Sequence, residues 1–139
     1  MKITLHRTDN NFQMRAVNEL GKTVDTDAGP ATGGHDAAMR PMQMVLAALG
    51  GCSSIDIIYL LRKQRRELDD LKVEITAERR EEEPRVFTSI HVHYRLIGEV
   101  EDKKAERACR LSMEKMCSVS MMLKPTVAIS WSYTVEAEA

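Results

Sequence analysis

The chain alternates between two hydrophobic periods. Ile3, Leu5 and Arg7 alternate with Lys2, Thr4 and His6, and Asp9-Asn10-Asn11 then breaks the pattern as a turn. Residues 12–17 and 23–26 predict two more short strands, separated by a turn at 19–22. Residues 27–40 hold Gly29-Pro30 and Gly33-Gly34 and form a long loop, either a connector or a functional segment. Pro41 suits a first helical turn, where its missing N–H costs nothing, and residues 42–61 follow as a helix apolar on all sides. Such a helix is expected to be buried all round. Its tail, Arg62-Lys63-Gln64-Arg65-Arg66, is a solvated cap that complements the helix dipole. Leu71, Val73, Ile75 and Ala77 then mark one half-buried strand. Val86, Thr88, Ile90, Val92, Tyr94 and Leu96 mark a second, paired with the first as a hairpin. Helical spacing returns over 101–116, a short helix follows at 117–123 before Pro125, and residues 126–135 close the chain as a strand.

The order βββ-α-ββ-αα-β predicts an α+β fold of antiparallel sheets wrapped on a long buried central helix. One sheet covers one side of that helix. The other side needs the second helix or another copy of the chain, so a homodimer is expected.

At 139 residues and 15.7 kDa, the chain is expected to be a single domain, residues 1–139. Twenty Lys and Arg against 21 Asp and Glu, with 4% aromatics, argue against a nucleic-acid partner. Gln43, Ser53, Ser54 and Asp56 interrupt the longest apolar run, so no membrane span is expected. The start of the chain has no secretory pattern, which makes the cytoplasm the default compartment. Three cysteines are too few for a disulfide framework.

The cysteines hold the candidate chemistry. Cys52 sits in Gly50-Gly51-Cys52-Ser53-Ser54, where two glycines weaken a helix by about 1 kcal/mol each relative to alanine, so a close approach by another helix or a ligand is expected. Cys117 falls between two helices, near the start of the short one, where helix dipoles favour a thiolate. Taken singly, each reads first as a core residue, and with 64 intervening residues they form no local motif. Cys109 occupies a plain apolar helix position and is expected in the core. Met42, Met44, Met113, Met116, Met121 and Met122 flank Cys52 and Cys117, as helix core or as the wall of an adaptable apolar pocket. His91 and His93 share one strand face but lack an obvious second ligand pair, so no metal is expected there. Gly33-Gly34 lacks the lysine of a phosphate loop.

Taken together, Gly33-Gly34, the run from Pro41 through Leu46-Ala47-Ala48-Leu49-Gly50-Gly51-Cys52, and Lys115-Met116-Cys117-Ser118-Val119-Ser120 resemble the OsmC/Ohr family. The resemblance implies an intertwined homodimer that reduces organic hydroperoxides without a metal or organic cofactor. It implies Cys52 as the peroxidatic and Cys117 as the resolving cysteine, with a thiol or dihydrolipoyl reductant; Met42, Met44, Met116 and Met121 are then expected to shape the pocket around an apolar substrate. In hydroperoxide-reducing members a glutamate follows the helix-opening proline and orients an arginine toward the thiolate. Met42 stands in that place here, and Arg40 and Arg15 are the available cations. Two readings follow: a thiol peroxidase, or a divergent relative that binds an apolar small molecule in the same pocket.

Overall fold

The computed structural model describes residues 1–137. Its backbone divides into two compact units, Met1–Ala47 and Ala48–Ala139.

In the first unit, β1 (Ile3–Arg7), β2 (Met14–Asn18) and β3 (Thr23–Thr26) form an antiparallel sheet in the order β1-β2-β3. The loop that follows is built around a carboxylate. Asp27 is buried and accepts the backbone N–H groups of Ala28, His35 and Ala37 at 2.8, 3.3 and 3.1 Å. These donors, Ala37 foremost, hold its carboxyl below the usual range. A single turn of 3₁₀ helix at Pro30–Thr32 and a bridge from Thr26 to Met39 complete the loop. Gly34 lies against the Ala28 carbonyl so closely that no Cβ fits there.

The helix α1 (Pro41–Lys63) begins in this unit and continues into the second. By length and composition it could cross a membrane. Here Leu49, Gly50, Ser53, Ile57 and Leu61 line a buried face, spaced by three and four residues. Within the single chain the opposite side is open: Ile55 and Tyr59 are 69% and 53% exposed. An all-apolar composition shows that water is a poor neighbour, but one sheet reaches only one side of a helix.

That sheet contains β4 (Asp70–Arg79), β5 (Phe87–Ile97) and β6 (Ala128–Glu136), in that order. Ile90, Val92, Tyr94 and Leu96 point into the core and are at most 1% exposed. Two expectations change. β4 and β5 are an antiparallel hairpin, but β5 and β6 pair in parallel, Ser89 opposite Ala128 through Ile97 opposite Glu136. Antiparallel pairing follows from a tight turn, whereas the helical crossover between β5 and β6 returns the chain to the end where β5 began. In addition, the register shifts between Glu78 and Arg79, which pair with Ser89 and Phe87. Thr88 is therefore the extra residue of a bulge. Below it the alternation inverts, so Phe87 is buried while Val86 and Thr88 are exposed.

The two expected C-terminal helices are α2 (Asp102–Leu111) and α3 (Ser118–Leu123), joined by one π-helical turn at Ser112–Met116 rather than by uninterrupted α-helix. In α2, Ala105, Ala108 and Cys109 form the buried face.

Gly50 sets how closely α1 lies on the sheet. A Cβ there would sit 2.9 Å from Ile75 Cδ1. Alanine meets only the mobile tip of Ile75 and gains about 1 kcal/mol of helix propensity, so Gly50→Ala is expected to be close to neutral in denaturant unfolding. Gly50→Leu overpacks the same gap and should cost about 1–3 kcal/mol.

Candidate redox site

The site lies wholly in the second unit. Ser53 anchors it: its buried hydroxyl donates to the Leu49 carbonyl at 2.9 Å and accepts the phenol O–H of Tyr94 at 2.6 Å. Burial raises the Tyr94 phenol pKa, so it remains a neutral donor. Cys52 precedes Ser53 and is half-buried; Asp56 follows Cys52 by one turn, on the same side of α1.

The π-helical turn supplies the other half. In it the Cys117 N–H reaches back five residues to the Ser112 carbonyl at 2.8 Å. The wide turn faces the Ser112 hydroxyl toward α1, 3.1 Å from the Ser53 carbonyl and 3.0 Å from Asp56 Oδ2, and its one proton is shared between them. Ser120 donates its hydroxyl to the Met113 carbonyl at 3.0 Å. Cys117 then caps α3, and its sulfur accepts the Ser120 N–H at 3.4 Å. π-Helical turns of this kind recur at functional sites.

As a result, the Cys52 and Cys117 sulfurs and one Asp56 carboxylate oxygen all lie within 4.8 Å of one another. Neither cysteine is in a disulfide. Their surroundings differ sharply. Cys117 is 1% exposed, and its thiol pKa is pushed up to about 11, first by burial and further by the neighbouring Cys52 sulfur. Two N–H groups, of Ser120 and Val119, act in the opposite direction. Cys109, fully buried, is pushed up to about 12, mainly by burial. It is a core residue.

Arg15 is clamped by Asp25 at 2.8 and 3.0 Å, and Arg40 by Asp36 at 2.9 and 3.0 Å, both pairs in the first unit. Met42 and Met44 are half-buried on the first turns of α1, and Met116 and Met121 are 41% and 52% exposed. His91 and His93 form hydrogen-bonded rungs with Ser130 and Ser132 across β5 and β6. The sequence showed Asp56 only as an interruption of the apolar run and Tyr94 only as a strand position, and it gave Ser112 no role. The i, i+4 spacing of Cys52 and Asp56 was the available signal; Ser112 had none.

Comparison with known proteins agrees with this fold. The OsmC-like protein family matches residues 33–132. Protein YhfA of Escherichia coli (strain K12) is 48% identical over 103 residues, covering 73% of this chain and 77% of that protein. The crystal structure of a hypothetical protein from Aquifex aeolicus VF5 is 30% identical, covers 99% of this chain and is covered to 97%, with a TM-score of 0.86. An organic hydroperoxide resistance protein OsmC from Legionella pneumophila shares the fold at 16% identity, with coverage of 96% and 97% and a TM-score of 0.72. The chain belongs to the OsmC-like family.

The unequal burial of the three thiols sets an order of reactivity. In folded protein at neutral pH, an alkylating reagent should modify Cys52 first and leave Cys109 and Cys117 intact until denaturant is added. Because the Cys52 sulfur is one of the groups raising it, Cys117 should titrate at a lower pH in a Cys52→Ser variant, read as the pH profile of its alkylation rate.

Proposed function

We propose that the protein reduces organic hydroperoxides through Cys52 and Cys117. The observation that supports this most directly is the pairing of a half-exposed and a buried thiol with sulfurs within 4.8 Å. The Cys52 thiolate attacks the distal peroxide oxygen. The O–O bond breaks, Cys52 becomes a sulfenic acid, and the alkoxide takes up a proton and leaves as the alcohol. The Cys117 sulfur then attacks the sulfenyl sulfur, the S–O bond breaks, and water leaves as the disulfide forms. A dithiol reductant restores both thiols and is itself oxidised to a disulfide. Asp56 lies close enough to take the Cys52 proton through one water, a task suited to general-base catalysis. The cytoplasm, where thiol reductants are abundant, is the compartment that suits this cycle.

A second copy of the chain is proposed to cover the apolar surface left open on α1, where Ile55 and Tyr59 are exposed. Ile3 and Leu5 on the first sheet are exposed as well. Sedimentation at micromolar concentration should give a dimer, and Tyr59→Glu should shift it toward monomer. A wild-type monomer under those conditions removes the idea.

The second reading, a module that binds an apolar small molecule, draws on Met42 in place of the family's glutamate and on the acidic partners already holding Arg15 and Arg40. Peroxide consumption with a dithiol separates the two. Wild type should turn over, and Cys52→Ser should fall to background. Without the dithiol, Cys117→Ser should consume one equivalent and stop as a sulfenic acid; with it, Asp56→Asn should slow turnover about 10²-fold. A wild-type rate no faster than that of Cys52→Ser rejects the peroxidase reading.

A further inference from the structure

We propose that in the dithiol state Cys52, Asp56 and Cys117 form a three-ligand site for Zn²⁺, with a fourth, open position facing the exposed side of Cys52. Among the described residues these side chains bring two sulfurs and a carboxylate oxygen within 4.8 Å of one another. A tetrahedral zinc site with Zn–S bonds of ~2.3 Å and Zn–O bonds of ~2.0–2.2 Å has ligand–ligand edges of roughly 3.4–3.8 Å, so a pair at the upper limit of that separation has to close by about 1 Å. That closure has to come from the side-chain torsions of Cys52, Asp56 and Cys117 together.

The donor set selects the metal. Two thiolates exclude Mg²⁺ and Ca²⁺, which take oxygen ligands, and the carboxylate disfavours Cu⁺, which prefers soft sulfur. Borderline Zn²⁺ accepts both. The groups behind the ligands also fit. Ser112 lies 3.0 Å from Asp56 Oδ2 and fixes that carboxylate, and the Ser120 N–H orients the Cys117 sulfur. Binding is written Zn²⁺ plus two thiols and one carboxylate, giving the complex and two released protons. No electrons move. The metal replaces the thiol protons and neutralises most of the charge that would otherwise gather there.

The site and the disulfide exclude each other, since both use the same two sulfurs. Zinc would thus hold the pair reduced and unavailable to oxidants, whether or not the protein turns over peroxide.

The test uses full-length, reduced protein and no peroxide, so it stands or fails apart from the peroxidase reading. Titration with Co²⁺ should give thiolate-to-cobalt charge-transfer absorption and intense tetrahedral bands, saturating at one equivalent per chain and displaced by Zn²⁺. Zn²⁺ should block alkylation of Cys52. Cys117→Ser should abolish the charge-transfer signal, and Asp56→Asn, checked as folded by its thermal transition, should weaken binding by at least about 100-fold. The proposal is overturned by the absence of a tetrahedral cobalt spectrum, by an Asp56→Asn affinity equal to wild type, or by equal binding to the oxidised protein. If Cys117→Ser fails to fold, Zn²⁺ protection of Cys52 in wild type but not in Asp56→Asn decides the question.

Discussion

The Ser112 hydroxyl is the contact on which the site depends. It lies within hydrogen-bond distance of the Ser53 carbonyl on one side and the Asp56 carboxylate on the other, so one small side chain fixes the π-helical turn against α1. A hydroxyl in a buried place must find partners, or its burial costs roughly 1–3 kcal/mol. Here the partners belong to the helix that bears the first cysteine. The Ser53 side chain is tied from the opposite direction by the Tyr94 phenol, so α1 is held at that residue by both the sheet and the crossover. Polar contacts of this kind specify position, while the aliphatic core beside them stabilises: Leu49, Ile57 and Leu61 are wholly buried, at about 1.5–3 kcal/mol each. That exceeds the cost of two glycines in the same helix.

The two cysteines are distinguished by their settings. One sits at the half-open face of a long helix, the other under the turn that precedes a short one. Burial keeps the proton on Cys117 at neutral pH. Asp56 places an acceptor beside both sulfurs in a chain whose helix-opening segment has Met42 in place of a glutamate. The first unit organises its own charges inwardly: Asp27 gathers the backbone of its loop, and Arg15 and Arg40 are each matched to an aspartate on the same element or its neighbour.

Much of this was legible in the sequence because the relevant signals are local. Strand alternation marked β4 and the upper part of β5, a proline marked the start of α1, and the glycine-cysteine and cysteine-serine runs marked both thiols and their family. Three features were not. The pairing of β5 with β6 depends on a crossover whose geometry no periodicity encodes. The bulge at Thr88 adds a residue without any composition cue and inverts the alternation beyond it, so Phe87 rather than Val86 is buried. The π-helical turn has the same residues that would continue an α-helix. What distinguishes it is the set of partners for Ser112 and Ser120, which come from α1 and from the turn itself. The Ser112 contacts lie more than fifty residues away in sequence.

The parallel pairing of β5 and β6 has a consequence for how this site can vary. A parallel neighbour cannot be reached by a tight turn, so the chain between the two strands has to travel the length of the sheet. That return path is α2, the π-helical turn and α3, and it carries Cys117. The segment is therefore not an appended lid that insertions or deletions can remodel freely. Trimming it below the span of the sheet would displace the closing strand together with the second sulfur, so the position of that sulfur is tied to the sheet itself.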